Sequence, residues 1–337
     1  MKFMMQDSIM VKDKICSAGS RILYNFKAPF SAAVYDKCIE KGFEFAGFVV
    51  SDEFGIDKLF DETVETEETA AEITAILDNK CDAILCNDVF GKLRRQASQN
   101  GLIYIQPAYG TVSRFGLIPS VSSMDQIGIL CRNINNGAEI LSVISGHDIN
   151  DGTSLPKEEY KYDFDGQISN VASIPELKYL DISAQIFYIL ASAEISNNTN
   201  RYDGVKFGFK ADNARNINDL YINTRSEGLG KEISLASIVG CMVLSQEYYD
   251  KLYHKAMQLR NIVKSYYTDI LSKSDAILLS KVPSTGHDAG ECKYQQLALY
   301  VLTGLCGFAS VSYNGGQIVT LEGRQTGIFQ YIKEELQ

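Results

Sequence analysis

The stretch 109–154 constrains the fold more than any other part of this sequence, because turn, strand and helix signals follow one another in it without a break. A glycine turn at Gly110 leads into a short strand-like run, which ends at a Ser-Ser-x-Asp cluster formed by Ser122, Ser123 and Asp125. The short side-chain oxygen of Ser123 or Asp125 can accept from backbone N–H groups that lack a partner at a turn or helix start. The cluster therefore predicts a capped turn in this stretch.

A helix is predicted to close the same stretch. Ile134, Ala138, Leu141 and Ile144 fall near the i, i+4, i+7 spacing that places apolar side chains on one helical face. Gly146 follows at the position where a residue tolerant of positive φ commonly ends a helix. The spacing indicates an amphipathic helix with one face turned to a core.

The sequence of this stretch, YGTVSRFGLIPSVSSMDQIGILCRNINNGAEILSVISGHDINDGTS, resembles a core segment of the amidase signature family over a long, nearly ungapped match. Within that family it is most similar to the A subunits of Glu-tRNA(Gln)/Asp-tRNA(Asn) amidotransferases. The segments RYDG at 201–204 and RSEG at 225–228 resemble markers of the same A subunits. Residues 10–60 resemble the opening of the family.

The resemblance implies a layered α/β/α amidase signature fold with a central mixed β-sheet. We expect residues 1–337 to form a single domain of this kind, truncated at the N-terminus and shortened around 55–85 and 155–180 relative to the family. A chain of 337 residues with 45% hydrophobic side chains can by itself bury the core of one large α/β domain or of two small ones.

Periodicity predicts the elements between these motifs. Helices are predicted at 69–77, from 182 onward after a cap at Asp181, at 247–273 and at 295–305, and strands at 45–51, 83–86, 102–107 and 276–280. Leu77 is expected to be buried with the apolar face of the first of these helices. Residues 154–176 are predicted to form a surface loop, and the chain to end in a hairpin that turns at Asn314-Gly315.

The resemblance implies a Ser–Ser–Lys catalytic triad in active relatives, and one member has a positional equivalent here. Val11-Lys12-Asp13-Lys14 is similar to the IKDN segment that contains the catalytic lysine in the family, so Lys12 is its equivalent. Taken alone, Lys12 would be interpreted as a solvated lysine near a terminus.

The two serine loops that the resemblance implies are missing or altered. A serine nucleophile needs an adjacent base, and the loops that hold the developing oxyanion are rich in glycine so that backbone N–H groups can come close. The family's GGSSGGS loop has no counterpart, since the interval between Phe54 and Cys86 holds one glycine and no serine. That interval is predicted to be an acidic connector followed by a helix and a strand.

The second loop is similar to the family only in outline. The segment CNDVFGKLR at 86–94 lies over GSDTGGSIR, so that Asp88, Gly91 and Arg94 match. Lys92 stands at the nucleophile position, and Phe90 replaces a glycine. A lysine of ordinary pKa is protonated and cannot replace an acyl-accepting serine. Asp88, Lys92 and Lys12 are therefore remnants of a catalytic site.

The substrate anchors that the resemblance implies are also incomplete. The family's KRRIFLG-like run, whose arginine grips the glutamine carboxylate, corresponds to residues 234–240, which contain no arginine. The aspartate of the family's MYxxD segment is replaced by Leu297, although Tyr294 keeps the tyrosine. The remnant-pocket candidates are Gly91, Arg94, Ser122, Ser123, Tyr294 and Leu297.

Charge and composition narrow the partners. A net charge of −10 argues against direct nucleic-acid binding, which needs a surplus of lysine and arginine. Three histidines and eight scattered cysteines without a CxxC pair give no metal-ligand spacing, and no cofactor is expected. No apolar run of about 18 residues or leader-like segment is evident, so a cytoplasmic protein without membrane contact is predicted.

Three functions fit these observations. The favoured hypothesis is a catalytically inactive amidase-like protein, a pseudoenzyme that binds a partner protein, a ligand or a second copy of itself. The alternative is an active amidase or glutamyl-tRNA amidotransferase A-type chain with rearranged residues, in which Cys86, Ser98 or Ser123 would be the nucleophile. Cys86 is more simply interpreted as a core cysteine at a strand end. The third hypothesis is a scaffold subunit in a tRNA-dependent complex with other amidotransferase-like subunits.

Overall fold

The computed structural model describes residues 1–56, 68–173, 178–280 and 289–335, and within them nine strands form one sheet. The strands are β1 (Lys2–Gln6), β2 (Glu44–Val49), β3 (Ala83–Asn87), β4 (Ile103–Gln106), β5 (Ile127–Cys131), β6 (Val171–Ser173), β7 (Ala276–Ser280), β8 (Ala309–Tyr313) and β9 (Gly316–Thr320). Their order across the sheet is β2-β1-β3-β5-β4-β8-β9-β7-β6. β1 pairs in parallel with β2 and β3, and β6 with β7, while the other pairs are antiparallel. The predicted mixed sheet is confirmed.

The central strands are buried on both faces. In β3, Ala83 and Leu85 face one core cluster, while Ile84 and Cys86 face another. Side chains alternate across a strand, so a segment covered on both sides has an almost continuous apolar sequence. This burial explains why AILC at 83–86 predicts a strand without showing polar alternation.

Helices cover the two faces. They are α1 (Ala33–Glu40), α2 (Ala71–Leu77), α3 (Lys92–Gln99), α4 (Ile134–Ile144), α5 (Leu180–Thr199), α6 (Ile217–Gly228), α7 (Lys231–Val243), α8 (Lys255–Lys273), α9 (Ala289–Cys306) and α10 (Gln325–Glu335). Apolar side chains of α1, α4 and α10 share one core cluster, and those of α5, α7, α8 and α9 share a second. α2 and α3 contribute to a third cluster on the face opposite α1 and α4. The predicted three-layer α/β/α arrangement is confirmed.

The turns predicted from glycine and asparagine residues are present in the structure. The hairpin between β8 and β9 turns at Asn314 and Gly315, which adopt φ of 48° and 78°. A two-residue turn with positive φ at both positions joins the two strands of a tight hairpin, and asparagine and glycine tolerate this conformation best. Gly146 likewise has φ of 115° directly after α4, as its position predicted.

Several predictions of local structure were wrong. Leu77 is 38% exposed, because α2 ends there and only Ile73, Ala75 and Ile76 turn fully inward with Glu72. Tyr179, with φ of 68°, is the N-cap of α5, and Asp181 lies within its first turn. The predicted helix 247–273 is divided into a π-helical turn, Tyr249–His254, and α8.

Two further corrections concern long segments. Residues 154–173 are not a simple surface loop, because Tyr160 and Tyr162 are buried against the α4 and α10 face and β6 joins the sheet edge. The chain does not end in the hairpin, since α10 follows it and buries Ile328 and Phe329. β1 and β5 were not predicted at all. The predicted acidic connector at 57–67 lies outside the described residues.

Candidate functional site

The loop that follows β3 is built around the carboxylate of Asp88. This carboxylate accepts backbone N–H groups of Leu93, at 3.1 Å, and of Arg94, at 2.9 Å, in the first turn of α3. The first N–H groups of a helix have no partner inside the helix, so a carboxylate at this place satisfies them and suits the positive end of the helix dipole. Asp88 therefore holds the start of α3 in position.

Arg94 ties the same loop to the core. Its side chain is fully buried, and its Nε lies 3.1 Å from Asp88 Oδ2. Its Nη1 lies within 2.6 Å of Gln106 Oε1, Tyr300 O and Thr303 Oγ1, and its Nη2 donates to Asp88 O at 2.8 Å. One side chain thus joins the loop, β4 and α9.

The backbone of the loop approaches α9 closely at Gly91. Gly91 has φ of 79°, and a Cβ added to it would lie 2.3 Å from Tyr300 Cβ. Only glycine fits this position without moving the helix. The neighbouring Phe90 is buried and meets the ring of Phe187 edge to face at 5.0 Å. Phe90 therefore places an aromatic ring at a position where the family resemblance expects a glycine.

Lys92 occupies the place where the family resemblance expects the nucleophile, and it forms an ion pair. Its Nζ lies 2.6 Å from Asp52 Oδ2, and its side chain is 15% exposed. A lysine held by a carboxylate at this distance is kept protonated, because the charged form gains the attraction. In that form Lys92 has no lone pair with which to attack a carbonyl carbon.

A buried acid lies close to this pair. Gln6 donates from Nε2 to Glu72 Oε1 at 2.7 Å and accepts from the backbone N–H of Asn87 at the end of β3. Burial raises the pKa of Glu72, and the hydrogen bond from Gln6 opposes that rise. The sequence did not point to Glu72, because an acid in the first turn of a helix is usually a solvated residue.

Lys12 is not joined to this cluster. It is exposed, and its backbone N–H donates to Ser31 Oγ at 3.1 Å. Within the described part of the chain, no hydrogen bond or ion pair joins the Lys12 ammonium to Asp88 or Lys92. The geometry therefore brings Asp88, Gly91, Lys92 and Arg94 together in one loop, and the contacts of Lys12 among the described residues do not link it to that loop.

Ser122 and Ser123 are held by side chains that the sequence did not reveal. Ser122 Oγ accepts from Asn198 Nδ2 at 3.1 Å. Ser123 Oγ accepts from Arg260 Nη1 at 2.9 Å, and its backbone N–H donates to Glu194 Oε2 at 2.8 Å. Both hydroxyl oxygens accept from donors, and among the described residues neither hydroxyl donates its proton to a side-chain base. Both serines join the loop to α5 and α8.

Asp125 closes the turn that was predicted for this cluster. Its buried carboxylate accepts the N–H groups of Ser120 and Val121 at 3.1 Å and the amide of Asn87 at 2.9 Å. A cavity of about 190 Å³ opens beside Ser122 and Asp125. It is lined as well by the ion pair of Arg114 and Asp151, and by Phe115, Leu117, Pro119, Asn150 and Gly152.

Cys86 and Ser98, the remaining candidate nucleophiles, donate to backbone carbonyl oxygens and not to a carboxylate or imidazole among the described residues. Cys86 is completely buried, and burial raises its thiol pKa well above the usual range. Ser98 donates its hydroxyl to Arg95 O at 2.8 Å within α3.

The two remaining pocket candidates are Leu297 and Tyr294. Leu297 is partly buried against the core cluster of α5 and α8. The side chain of Tyr294 lies outside the described residues.

The family motifs outside this loop also lock local structure. Arg114 donates to Thr153 Oγ1 at 2.7 Å, and its backbone N–H donates to Asp151 at 2.8 Å. Arg201 donates from Nε to Asn198 O at 2.9 Å, and Arg225 donates to Thr199 O at 2.8 Å. These contacts give the family-like positions a structural role in holding their loops.

The donor groups of the described residues do not form a metal centre. No cluster of three or more histidine, cysteine, aspartate or glutamate side chains occurs among them in a ligating arrangement. None of the described helices combines the length and apolar character needed to cross a bilayer.

Comparison with known proteins agrees with the geometry. Residues 79–172 and 170–322 match the sequence model of the family described as Amidase. The A subunit of glutamyl-tRNA(Gln) amidotransferase from Streptococcus agalactiae is 30% identical over an alignment of 348 positions, gaps included, and the alignment covers 88% of this chain and 71% of that protein. The protein of the same name from Leptospira interrogans is 32% identical over 342 residues, with coverage of 88% and 70%.

Solved structures show the same fold. The crystal structure of the A subunit of glutamyl-tRNA(Gln) amidotransferase from Thermotoga maritima gives a TM-score of 0.73 at 23% identity, covering 98% of this chain and 81% of that one. A peptide amidase from Stenotrophomonas maltophilia gives 0.72 at 16% identity, covering 99% and 82%.

Proposed function

This chain belongs to the amidase signature family, and from that premise we propose that it is a catalytically inactive member that acts by binding another protein. The ion pair between Lys92 and Asp52, at 2.6 Å, is the observation that supports this proposal most directly. Amide hydrolysis through an acyl-enzyme needs a deprotonated nucleophile at this point of the loop. A lysine paired with a carboxylate holds a proton there instead.

The surroundings of Lys92 support the same proposal. Phe90 packs edge to face on Phe187, where an open loop would let a substrate carbonyl approach. An oxyanion site needs donors aimed at empty space about 3 Å away. The N–H groups of Leu93 and Arg94 already donate to Asp88, so they are not available to an oxyanion.

The preserved loops support a scaffold role. The contacts of Arg114 with Thr153 and of Arg201 with Asn198 maintain surface loops of the family fold without contributing to catalysis. The curated relatives are named as a subunit of an amidotransferase. We therefore propose that the partner is a subunit of such an assembly or a second copy of this chain.

We place the protein in the cytoplasm as part of this proposal. Six of the described cysteines are buried as free thiols, and Cys241 is a free thiol at the surface. Buried unpaired thiols suit a reducing compartment.

The proposal is tested by hydrolysis of glutamine and of simple amides with purified protein, with ammonia release as the measurement. We expect no turnover above buffer, and no labelling by a fluorophosphonate probe. The Lys92→Ser variant should also be inactive, because it restores a hydroxyl but neither a bridging serine nor the space that Phe90 fills. An active member of the family serves as the positive control.

The alternative function, an active amidase with rearranged residues, predicts the opposite. Turnover by the wild-type protein together with labelling of one residue, such as Ser98, Ser123 or Cys86, would refute the proposed inactivity. Co-purification of amidotransferase subunits from cells would support the scaffold role, whether or not a second copy also binds.

A further inference from the structure

α7 is apolar on two opposite faces. Its inner face, formed by Ile233, Ala236, Gly240 and Val243, is buried. The fit of this face against α5 is close, because a Cβ added at Gly240 would lie 2.1 Å from Ser192 O. The inner face therefore accounts for the close packing of α7 against α5.

The outer face of α7 is apolar as well. Ile238 is 67% exposed and Met242 is 45% exposed, while Leu235 and Val239 are half-buried. The spacing of Leu235, Ile238, Val239 and Met242 is i, i+3, i+4, i+7, which aligns them along one side of a helix. These four residues are called the α7 stripe below. The apolar face of a helix is normally covered by another element, so a second apolar face calls for a second contact.

The charges at the two ends of the stripe complement one another. Lys231 is exposed at the N-terminal end of α7, and Glu247 is exposed shortly after its C-terminal end. In an antiparallel pair of α7 helices related by a two-fold axis at Ile238, each Lys231 lies opposite the other copy's C-terminal end and Glu247. The same arrangement places the helix dipoles head to tail, which is favourable.

From this complementarity we infer that the α7 stripe is the contact surface between two copies of this chain. A two-fold contact uses the same patch on both copies, so a patch must match itself in shape and charge. The stripe does so when the helices run antiparallel: Ile238 meets Ile238 of the second copy, and Met242 meets the N-terminal half of the other helix. This inference rests on the proposed binding function, because it names a second copy of the chain as the binding partner.

The expected dimer is weak. α7 has 13 residues and is roughly 20 Å long, so its footprint is smaller than the ~800 Å² per partner of a standard interface. Leu244, at 39% exposure, and Tyr249, at 44%, extend the exposed apolar surface beyond the end of α7. The net charge of −10 on each copy opposes association, although physiological salt screens it beyond about 8 Å. We therefore expect weak, concentration-dependent association, with a dissociation constant of about 1–100 μM.

Sedimentation velocity between 1 and 200 μM in 150 mM NaCl measures this equilibrium. The weight-average mass should rise from 37.4 kDa toward twice that value as concentration increases. Ile238→Glu should raise the dissociation constant at least about tenfold, because the charge enters the interface twice. Ile222→Glu is the matched control, since Ile222 is 63% exposed on α6, outside the stripe, and should leave association unchanged.

Two further variants test the antiparallel arrangement. Lys231→Glu should weaken association, and the double variant Lys231→Glu/Glu247→Lys should restore it. Ile238→Cys in a Cys241→Ser background should form a disulfide-linked dimer under mild oxidation, whereas the Cys241→Ser parent and Ile222→Cys in that background should not.

The proposal is overturned if the wild-type protein stays at 37.4 kDa at 200 μM, or if Ile222→Glu and Ile238→Glu weaken association equally. Binding of the stripe only to a different protein would also overturn it. None of these outcomes depends on catalysis, so failure here is separable from failure of the glutamine-hydrolysis test.

Discussion

The buried side chain of Arg94 offers the sharpest test of how the site is built. Arg94→Ala removes the ion pair with Asp88 and the hydrogen bonds to the oxygens of Gln106, Tyr300 and Thr303. It shortens the side chain without changing the backbone of α3, so its effect reports mainly on these lost contacts.

The magnitude follows from burial. Removing one partner of a buried ion pair costs about 3–5 kcal/mol, because the other charge stays buried without compensation. The backbone N–H groups that still donate to Asp88 reduce that cost, and Tyr300 O keeps the hydroxyl of Thr303 as a donor, so it is not left unsatisfied. We expect a loss of about 3–4 kcal/mol, a large part of the 5–15 kcal/mol typical of native proteins.

Equilibrium unfolding in urea, followed by circular dichroism, measures this loss. Arg215→Ala is the control, because Arg215 lies just before α6 and pairs with Asp219 in its first turn, but its side chain is 90% exposed. An exposed pair of this kind contributes at most about 0.5 kcal/mol. The double variant Arg94→Met/Asp88→Asn should recover part of the loss, because it removes both charges.

Two results would refute this reasoning. A free energy of unfolding for Arg94→Ala within about 1 kcal/mol of the wild type would show that water or rearrangement replaces the lost contacts. A double variant no more stable than Arg94→Ala would show that the stranded Asp88 charge is not the cause of the loss.

Three further predictions concern neighbouring residues. Gly91→Ala should lower the free energy of unfolding in urea by at least about 2 kcal/mol, because the new Cβ would collide with Tyr300. Gly42→Ala is the control: Gly42 has a similar φ, but no atom lies within 4 Å of its added Cβ, so the same measurement should show a loss of only about 1 kcal/mol. Burial raises the pKa of Glu72, so the stability that its neutral form contributes is lost as pH rises through the raised pKa. The melting temperature of Glu72→Gln should therefore increase relative to that of the wild type between pH 4 and pH 8. A difference in melting temperature that stays constant over this range would contradict the prediction. Iodoacetamide should label Cys241 in the native protein and leave Cys86 unmodified, as measured by peptide mass spectrometry. The reason is that Cys241 is exposed, while burial raises the pKa of Cys86. Labelling of Cys86 would contradict its assignment to the core.

Local signals predicted the elements best where chain neighbours determine the conformation. The turn at Asn314 and Gly315 needs positive φ at two successive residues, and the sequence supplies the two residue types that tolerate it. The face of α4 follows from the spacing of Ile134, Ala138 and Leu141, all of which are buried. Such features depend on nearby residues, so they can be recognised without the fold.

The misassigned elements depend on distant contacts. β1 was not predicted because it is only five residues long and lies in a stretch, 1–14, with scattered charges, yet it is an inner strand between β2 and β3. Leu77 continues the apolar pattern of α2, but it is the last residue of that helix and is 38% exposed. Nothing in the local sequence encodes either fact.

The sequence by itself determined the family, the mixed α/β/α fold and the substitution of Lys92 and Phe90 in the altered loop, because these follow from residue identity and order. Only the tertiary structure decided what those residues do. Arg94 reaches Tyr300 and Thr303, more than 200 positions away, and Lys92 finds Asp52 across the sheet edge. The physical reason is that hydrogen bonding, burial and ion pairing depend on distance in space, which chain order does not fix until the sheet has formed.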